Sequence, residues 1–400
     1  MDVRNDDGYV LKKEGNCIFG KKVMVINDLI NLRQSLHQHP ELSGQEHATA
    51  ARISEYFKHL NNCQVDPNIG GHGVVITFDS RKDGLHLAFR CELDALPIHE
   101  VNEISYRSRA NGISHKCGHD GHMAIITGLG MWLNDNLPPT GKVSLIYQPA
   151  EEIGIGARAM LEDPNWIIEP DEVYALHNLP GYPMHQILYF PGQITPTVLS
   201  MAIRLKGITS HASEPQKGNN PTIAISKIAL EVDKLNNINK SDPTYRLITP
   251  VHMYIGTKDY GISPGSGEIH FTMRTHDQLN MDILVSDITD IIELKCQNHG
   301  LDHSITYSDF FPSVENNNTC LEKLNRACTT LNYSIFKLDQ PLPFGEDFGF
   351  IARKYKGILF GLGSGVETPP LHHETYDFPD KLIETGINIF KSIITSSLKK

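Results

Sequence analysis

SHKCGHDGHMAIITGLGMWLNDNLPPTGKVSLIYQPAEE, residues 114–152, runs a polar loop into a helix and the helix into a strand. GHMAIITGLGMWLNDNL (121–137) has a helical pattern, and KVSLIYQPA (142–150) is a short apolar run closed by turn residues. Working outward, GVVITFDS (73–80), LHLAFR (85–90), DEVYALHNL (171–179) and YKGILFGLG (355–363) are further β-branched or apolar runs of strand length. Glu46 to Leu60 sets Ala50, Ile53, Phe57 and Leu60 at helical spacing. Such alternation predicts an α/β domain whose sheet is buried on both faces.

The rhythm changes between 194 and 308. TVLSMAIRLKG reads as a strand and NPTIAISKIALEVDKL as a helix, with Asn220 as N-cap and Pro221 in its first turn. Strands ITPVHMYIG and GEIHFTMRT follow, the second alternating Ile269, Phe271 and Met273 against His270, Thr272 and Arg274. MDILVSDITDIIELKCQNHG is a helix with Met281, Leu284, Ile288 and Ile291 on one face and Gly300 as its stop, and HSITYS closes the set. The order β-α-β-β-α-β is that of a ferredoxin-like unit. A complete unit inside a larger α/β pattern predicts an inserted domain at 194–308, with a discontinuous catalytic domain at 1–193 and 309–400.

A formal charge of -11 and a pI near 6.0 argue against nucleic-acid and anionic-membrane partners, which want a basic face. The first twenty residues lack the apolar core of a signal peptide and no run approaches spanning length, so a cytoplasmic location is expected. Seven cysteines (Cys17, Cys63, Cys91, Cys117, Cys296, Cys320, Cys328) without CxxC pairs indicate neither a disulfide framework nor a zinc ribbon.

Cys117 stands apart because of its neighbours: one thiol, one carboxylate and three imidazoles lie within Ser114–Ala124. On its own this is either a polar loop rich in His or part of a metal site. Glu151 and Glu152 follow one predicted strand, His177 another, and Asp94 a third, where open α/β sheets place their sites. A doubled Glu is usually a solvated pair, and His372-His373 passes for a surface doublet. All of them on one sheet rim is a different matter. Thiolate, imidazole and carboxylate together suit zinc and other late first-row divalent ions, and a cation would relieve the repulsion between adjacent carboxylates.

In order, HQHPELSGQE (37–46), RCELDALPI (90–98), CGHDGHMA (117–124), YQPAEE (147–152), ALHNLP (175–180), GITSHASEP (207–215), GEDFGF (345–350) and LHHETYDF (371–378) resemble the dinuclear metal-dependent amidohydrolases. That family contains hippurate hydrolase, plant hydrolases of indoleacetyl-amino acids and bacterial N-acyl-amino-acid deacylases. The resemblance implies a metallopeptidase-like catalytic domain with a central mixed sheet between helices, and an inserted ferredoxin-like lid and dimerisation domain. It implies two divalent ions (Zn, Mn, Co or Ni) held by Cys117, His119, Glu152, His177 and His372, Cys117 bridging them. His372 is preferred to His373 because it directly follows the Leu of the family's pattern.

By the same resemblance Glu151 is general base and acid for a hydroxide bridging the ions, and His211 of SHASEP polarises the substrate, often across a dimer. Asn220 and Arg274 match positions near the substrate's carboxylate. The chain departs from the family at Glu92, where many relatives have Asp, and at Asn220-Pro221, where many have Asp-Pro. The implied activity is hydrolysis of the amide bond of N-acyl-L-amino acids by a homodimer or higher homo-oligomer formed through the lid domain, with a small N-acyl amino acid or short peptide as partner. Rival readings are a dipeptidase or carboxypeptidase on the same site, a thiol amidase using Cys117 and His119, and a catalytically silent metal-binding protein.

Overall fold

The computed structural model describes residues 18–399; Cys17 and the start of the expected 1–193 segment lie outside the described residues. The chain begins α1 (Ile18–Gln38), α2 (His47–Lys58), β1 (Gln64–Ile69), β2 (Gly73–Asp79), β3 (His86–Glu92), α3 (His119–Asp135) and β4 (Lys142–Gln148). It continues through α4 (Gly156–Glu162), β5 (Glu172–Leu179), β6 (Ile187–Tyr189) and β7 (Gly192–Gln193). A second group holds β8 (Thr197–Lys206), β9 (Ser210–His211), α5 (Thr222–Asp233), β10 (Arg246–Ile255), β11 (Ile262–Ser263), β12 (Ser266–Thr275), α6 (Gln278–His299) and β13 (Asp302–Phe311). Last come β14 (Glu315–Asn316), α7 (Asn318–Leu331), β15 (Ile335–Lys337), α8 (Phe348–Lys354), β16 (Lys356–Gly363) and α9 (Leu382–Ser397).

Eight strands form a mixed sheet in the order β1-β2-β4-β3-β5-β16-β6-β15. Its centre, β4-β3-β5-β16, is parallel, and β1, β2 and β6 join by antiparallel pairing. Successive residues of the central strands feed opposite layers. Leu87, Phe89, Leu145 and Tyr174 pack with Leu29, Phe57, Leu129 and Phe390 from α1, α2, α3 and α9. Ala88, Ile146 and Val173 pack on the other side with Met160 of α4 and Ile351 of α8. Burial on both faces explains why these strands read as nearly unbroken apolar runs.

The second sheet is antiparallel throughout, in the order β10-β12-β8-β13 with β8 and β12 central, the ferredoxin-like arrangement that the pattern predicts. Helices α5 and α6 cover one face: Ile225 and Ile228 from α5 and Leu284 and Ile288 from α6 meet Ile269, Phe271 and Met273 of β12. The α6 stripe runs Met281, Leu284, Ile288, Ile292, Cys296. Ile291, expected on that stripe, is only half-buried, because a 3.6-residue period carries the face to Ile292. Asp277 caps α6 by accepting from the Asn280 N–H at 2.8 Å, and Gly300 ends it at φ 59°. Among the described residues no helix is long and apolar enough to cross a membrane.

Candidate metal centre

Parallel pairing of β4, β3 and β5 brings their carboxyl ends to one edge. Asp94 lies two residues beyond β3, the Glu151-Glu152 doublet begins three residues beyond β4, and His177 lies in β5, two residues before its end. Cys117 lies in the loop before α3. His119, expected in that loop, is instead the first residue of α3, and the turn between them is Gly118 at φ 95°. A Cβ at Gly118 would come within 2.4 Å of the Asn178 Oδ1, so only glycine lets loop and helix meet there. Two non-glycine residues beside the site also adopt positive φ, Ala150 at 50° and His372 at 65°. The Ala150 N–H donates to Glu46 Oε1 at 2.7 Å and the His372 N–H to the Lys116 carbonyl at 2.8 Å, which holds both in place.

Six of the sequence-predicted residues converge. Cys117, His119 and His177 each offer an atom within 4.8 Å of the others; so do Cys117, Glu152 and His372, and so do His119, Glu151 and Glu152. Cys117 Sγ is 3.4 Å from His177 Nε2, His119 Nε2 is 3.8 Å from Glu152 Oε1, and His372 Nε2 is 3.6 Å from Glu152 Oε2. His373 turns away and accepts from the Thr375 N–H through Nδ1 at 3.2 Å.

The ring orientations suit metal ligation. His119 Nδ1 donates to the Asp94 carbonyl and His177 Nδ1 to the Asn178 carbonyl, both at 2.9 Å. A carbonyl only accepts, so each ring carries its hydrogen on Nδ1 and turns a lone pair on Nε2 toward the cluster. His119 Nε2 and Glu152 Oε1 are shut away from solvent with no hydrogen bond, which is costly unless a cation takes them.

Electrostatics point the same way. Burial, with Glu152 and Glu151 nearby, pushes the Cys117 thiol well up. Burial, with Glu346, Glu152 and Asp347, pushes the Glu151 carboxyl well up, and burial lifts Glu152 to about 7. Burial opposes a charge on His119, yet its bond to Asp94 and the fields of Glu92 and Glu152 carry it to about 10. Burial drops His177 to about 3. A negative field this strong holds protons when no cation is present, and a divalent ion takes their place.

A buried charge array supports the site. Arg90, fully buried, donates to Gln148 Oε1 at 2.8 Å, to Glu346 Oε1 and Asp347 Oδ1 at 2.9 Å each, and to Glu92. Glu92 Oε2 accepts from His122 Nδ1 at 2.7 Å, so His122 serves the array rather than the cluster's Cys117 and Glu152. The Phe344 ring lies 5.5 Å from that of His177 and supplies an apolar neighbour. Sequence reasoning assigned no role to Arg90, Glu346 or Asp347, although RCELDALP and GEDFGF contained them.

Three predicted residues lie on the second sheet's side. His211, exposed on β9, bonds through Nδ1 to Ser213 Oγ at 2.7 Å. Asn220 Oδ1 accepts from the Thr222 N–H at 2.9 Å and its Nδ2 donates to Ser263 Oγ at 3.1 Å; α5 starts at Thr222, so its N-cap position is Pro221, one residue after the Asn220 expected there. Arg274 donates to the Pro343 carbonyl at 3.1 Å, next to Phe344.

Residues 88–396 match peptidase family M20/M25/M40. The chain is 29% identical over 366 residues to the N-acetylcysteine deacetylase of Bacillus subtilis (strain 168), covering 91% of this chain and 95% of that protein. It is 28% identical over 379 residues to the N-acetyldiaminopimelate deacetylase of Shouchella clausii, covering 94% and 100%. A B. subtilis crystal structure described as a dinuclear metal binding peptidase from M20 family superposes with a TM-score of 0.78 at 27% identity, covering 94% of this chain and 99% of that one. The crystal structure of a methicillin-resistant Staphylococcus aureus protein superposes with a TM-score of 0.84 at 26% identity over 94% and 98%.

Proposed function

The chain belongs to the M20/M25/M40 peptidase family, and we propose that this amidohydrolase cleaves the acyl group from small N-acyl-L-amino acids. The observation that carries the reading is the division of the doublet: Glu152 faces His119 and His372, while Glu151 stays beside them and makes no ion pair within 4.0 Å among the described residues. In this reading Cys117, His119, Glu152, His177 and His372 would hold two divalent ions. The ions, when bound, supply Lewis-acid charge and ease deprotonation of water.

The chain's own residues do the rest. Glu151 Oε takes the proton of the attacking water and returns it to the leaving amine nitrogen, the poor step in amide cleavage. Burial, with the carboxylates of Glu346, Glu152 and Asp347 nearby, raises its proton affinity. Arg90 holds Glu346 and Asp347 in place behind it. His211 donates to the carbonyl oxygen as negative charge develops there, and Arg274 and Asn220 lie toward the substrate's carboxylate. The lid is taken as 194–308, its last strand running on to Phe311, between catalytic segments 1–193 and 309–400. A homodimer formed through the lid, in the cytoplasm, completes the reading.

The test is to load metal-stripped protein with Zn, Mn, Co or Ni in turn and follow a panel of acetyl, benzoyl and indoleacetyl amino acids and dipeptides by mass spectrometry. Release of free amino acid from the acyl series, dependent on metal, is expected. Turnover confined to dipeptides would replace deacylation with peptidase activity, and no turnover with any metal would sink the reading.

A further inference from the structure

A second group of metal-binding side chains lies on the four-stranded sheet, outside the centre described above. His252 of β10 sits opposite His270 of β12, and Glu268 lies two residues before His270 on the same outward face. One donor atom from each lies within 4.8 Å of the other two. Their side chains are 47%, 31% and 26% exposed, on the face away from α5 and α6.

Strand register explains why they meet. Between Pro250 and His252 the β10–β12 ladder shifts: Pro250 pairs with Phe271 and His252 with His270. Val251 is therefore the extra residue of a bulge. Without it His252 would pair with the buried Ile269 and point into the apolar layer. A bulge on an edge strand is a device for re-aiming one side chain, and the proline fits an edge strand.

The distances fit coordination better than hydrogen bonding. His252 Nε2 and His270 Nε2 lie 3.3 and 3.5 Å from the same oxygen, Glu268 Oε1. His270 Nε2 is shut from solvent and makes no hydrogen bond. Metal–ligand bonds of about 2.0–2.1 Å in a tetrahedral zinc site put neighbouring donors about 3.3–3.4 Å apart. The other carboxylate oxygen, Oε2, accepts from Arg204 Nε at 3.0 Å, which orients the group and leaves Oε1 toward the imidazoles.

We propose that His252, Glu268 and His270 form a further binding site for a late first-row divalent ion, with two imidazole nitrogens and one carboxylate oxygen as protein ligands. Two imidazoles with one carboxylate select zinc, nickel or copper over magnesium or calcium, which prefer all-oxygen shells. An ion there would tie edge strand β10 to the central strand β12 across the bulge.

The test compares full-length wild type with a His252→Gln/His270→Gln double variant, both metal-stripped, then equilibrated with zinc in excess over all the proposed ions of the chain and freed of unbound zinc by gel filtration. Bound metal is counted by mass spectrometry. The wild type should hold one more equivalent per chain than the variant, and its His252 should be shielded from diethylpyrocarbonate when zinc is added. Equal metal content in the two proteins, with His252 equally reactive with and without zinc, would overturn the proposal. Both imidazoles are partly exposed, so the variant should fold; if it does not, the shielding of His252 in the wild type decides alone. Hydrolysis by the folded variant should match wild type, which separates this site from the centre at Cys117.

Discussion

His372 turns its Nε2 to within 3.6 Å of Glu152 Oε2, whereas its neighbour His373 bonds to Thr375. A positive φ at His372 splits the doublet, sending one imidazole to the centre and one to solvent. His372→Ala should therefore release metal and lower kcat/KM by roughly 100-fold or more, while His373→Ala should stay near wild type. Metal content by mass spectrometry with initial rates checks this; equal losses from both variants would undo the assignment.

Glu151→Gln keeps the shape of the residue and removes its proton affinity. Bound metal should be retained and turnover should fall by about 10²–10⁴. Near-normal rates in a metal-replete variant would remove Glu151 from the proton transfer.

His211→Ala should lower kcat with little change in KM, because its interaction grows as charge develops on the carbonyl oxygen. Its exposed position on β9 suits action on a second subunit. Mixing His211→Ala with Glu151→Gln protein should then restore activity that neither has alone. Absence of recovery on mixing, with an effect confined to KM, would argue against both the role and the shared site.

Arg90→Met would leave Glu92, Glu346 and Asp347 buried without their cation. Breaking a buried pair in this way costs about 3–5 kcal/mol, so a clear fall in the unfolding midpoint is expected. An unchanged midpoint in denaturant would mean the carboxylates find other partners.

The fully buried His37 donates from Nδ1 to Asp120 at 2.9 Å and from Nε2 to Glu100 at 3.0 Å, so both nitrogens carry hydrogen. Burial opposes this charge, but the bonds to Asp120 and Glu100 carry its pKa up to about 9. The folded value lies above that of a free imidazole. Its contribution is therefore complete below about pH 6.5 and is lost as pH rises through about 9, at ~1.4 kcal/mol per unit of difference. Wild-type stability should fall across that window, and His37→Gln should flatten the fall. Identical slopes in pH-dependent urea unfolding would exclude His37 as the source.

Much of this was legible in the chain. Alternation in GEIHFTMRT gave the β12 faces, and apolar runs marked the central strands, because burial dictates both patterns. Helix α1 was hidden for a physical reason. Arg33 and His37, four residues apart, are fully buried to meet Asp120, Asp377 and Glu100, so polar residues interrupt its inward stripe. Strand β1 was obscured by Pro67, tolerable because β1 is an edge strand.

The sequence by itself determined the donor types and their order: one thiol, several imidazoles and a pair of adjacent carboxylates, set in runs whose periodicity fixes an α/β sheet and an inserted β-α-β-β-α-β unit. Only the tertiary structure decided which member of each doublet faces the centre, that Arg90 binds Glu346 and Asp347 behind it, and that a bulge brings His252 to His270. Periodicity constrains which face of its own element a residue takes. Partners far apart along the chain are chosen by how the elements pack and by single φ angles, which local pattern does not encode.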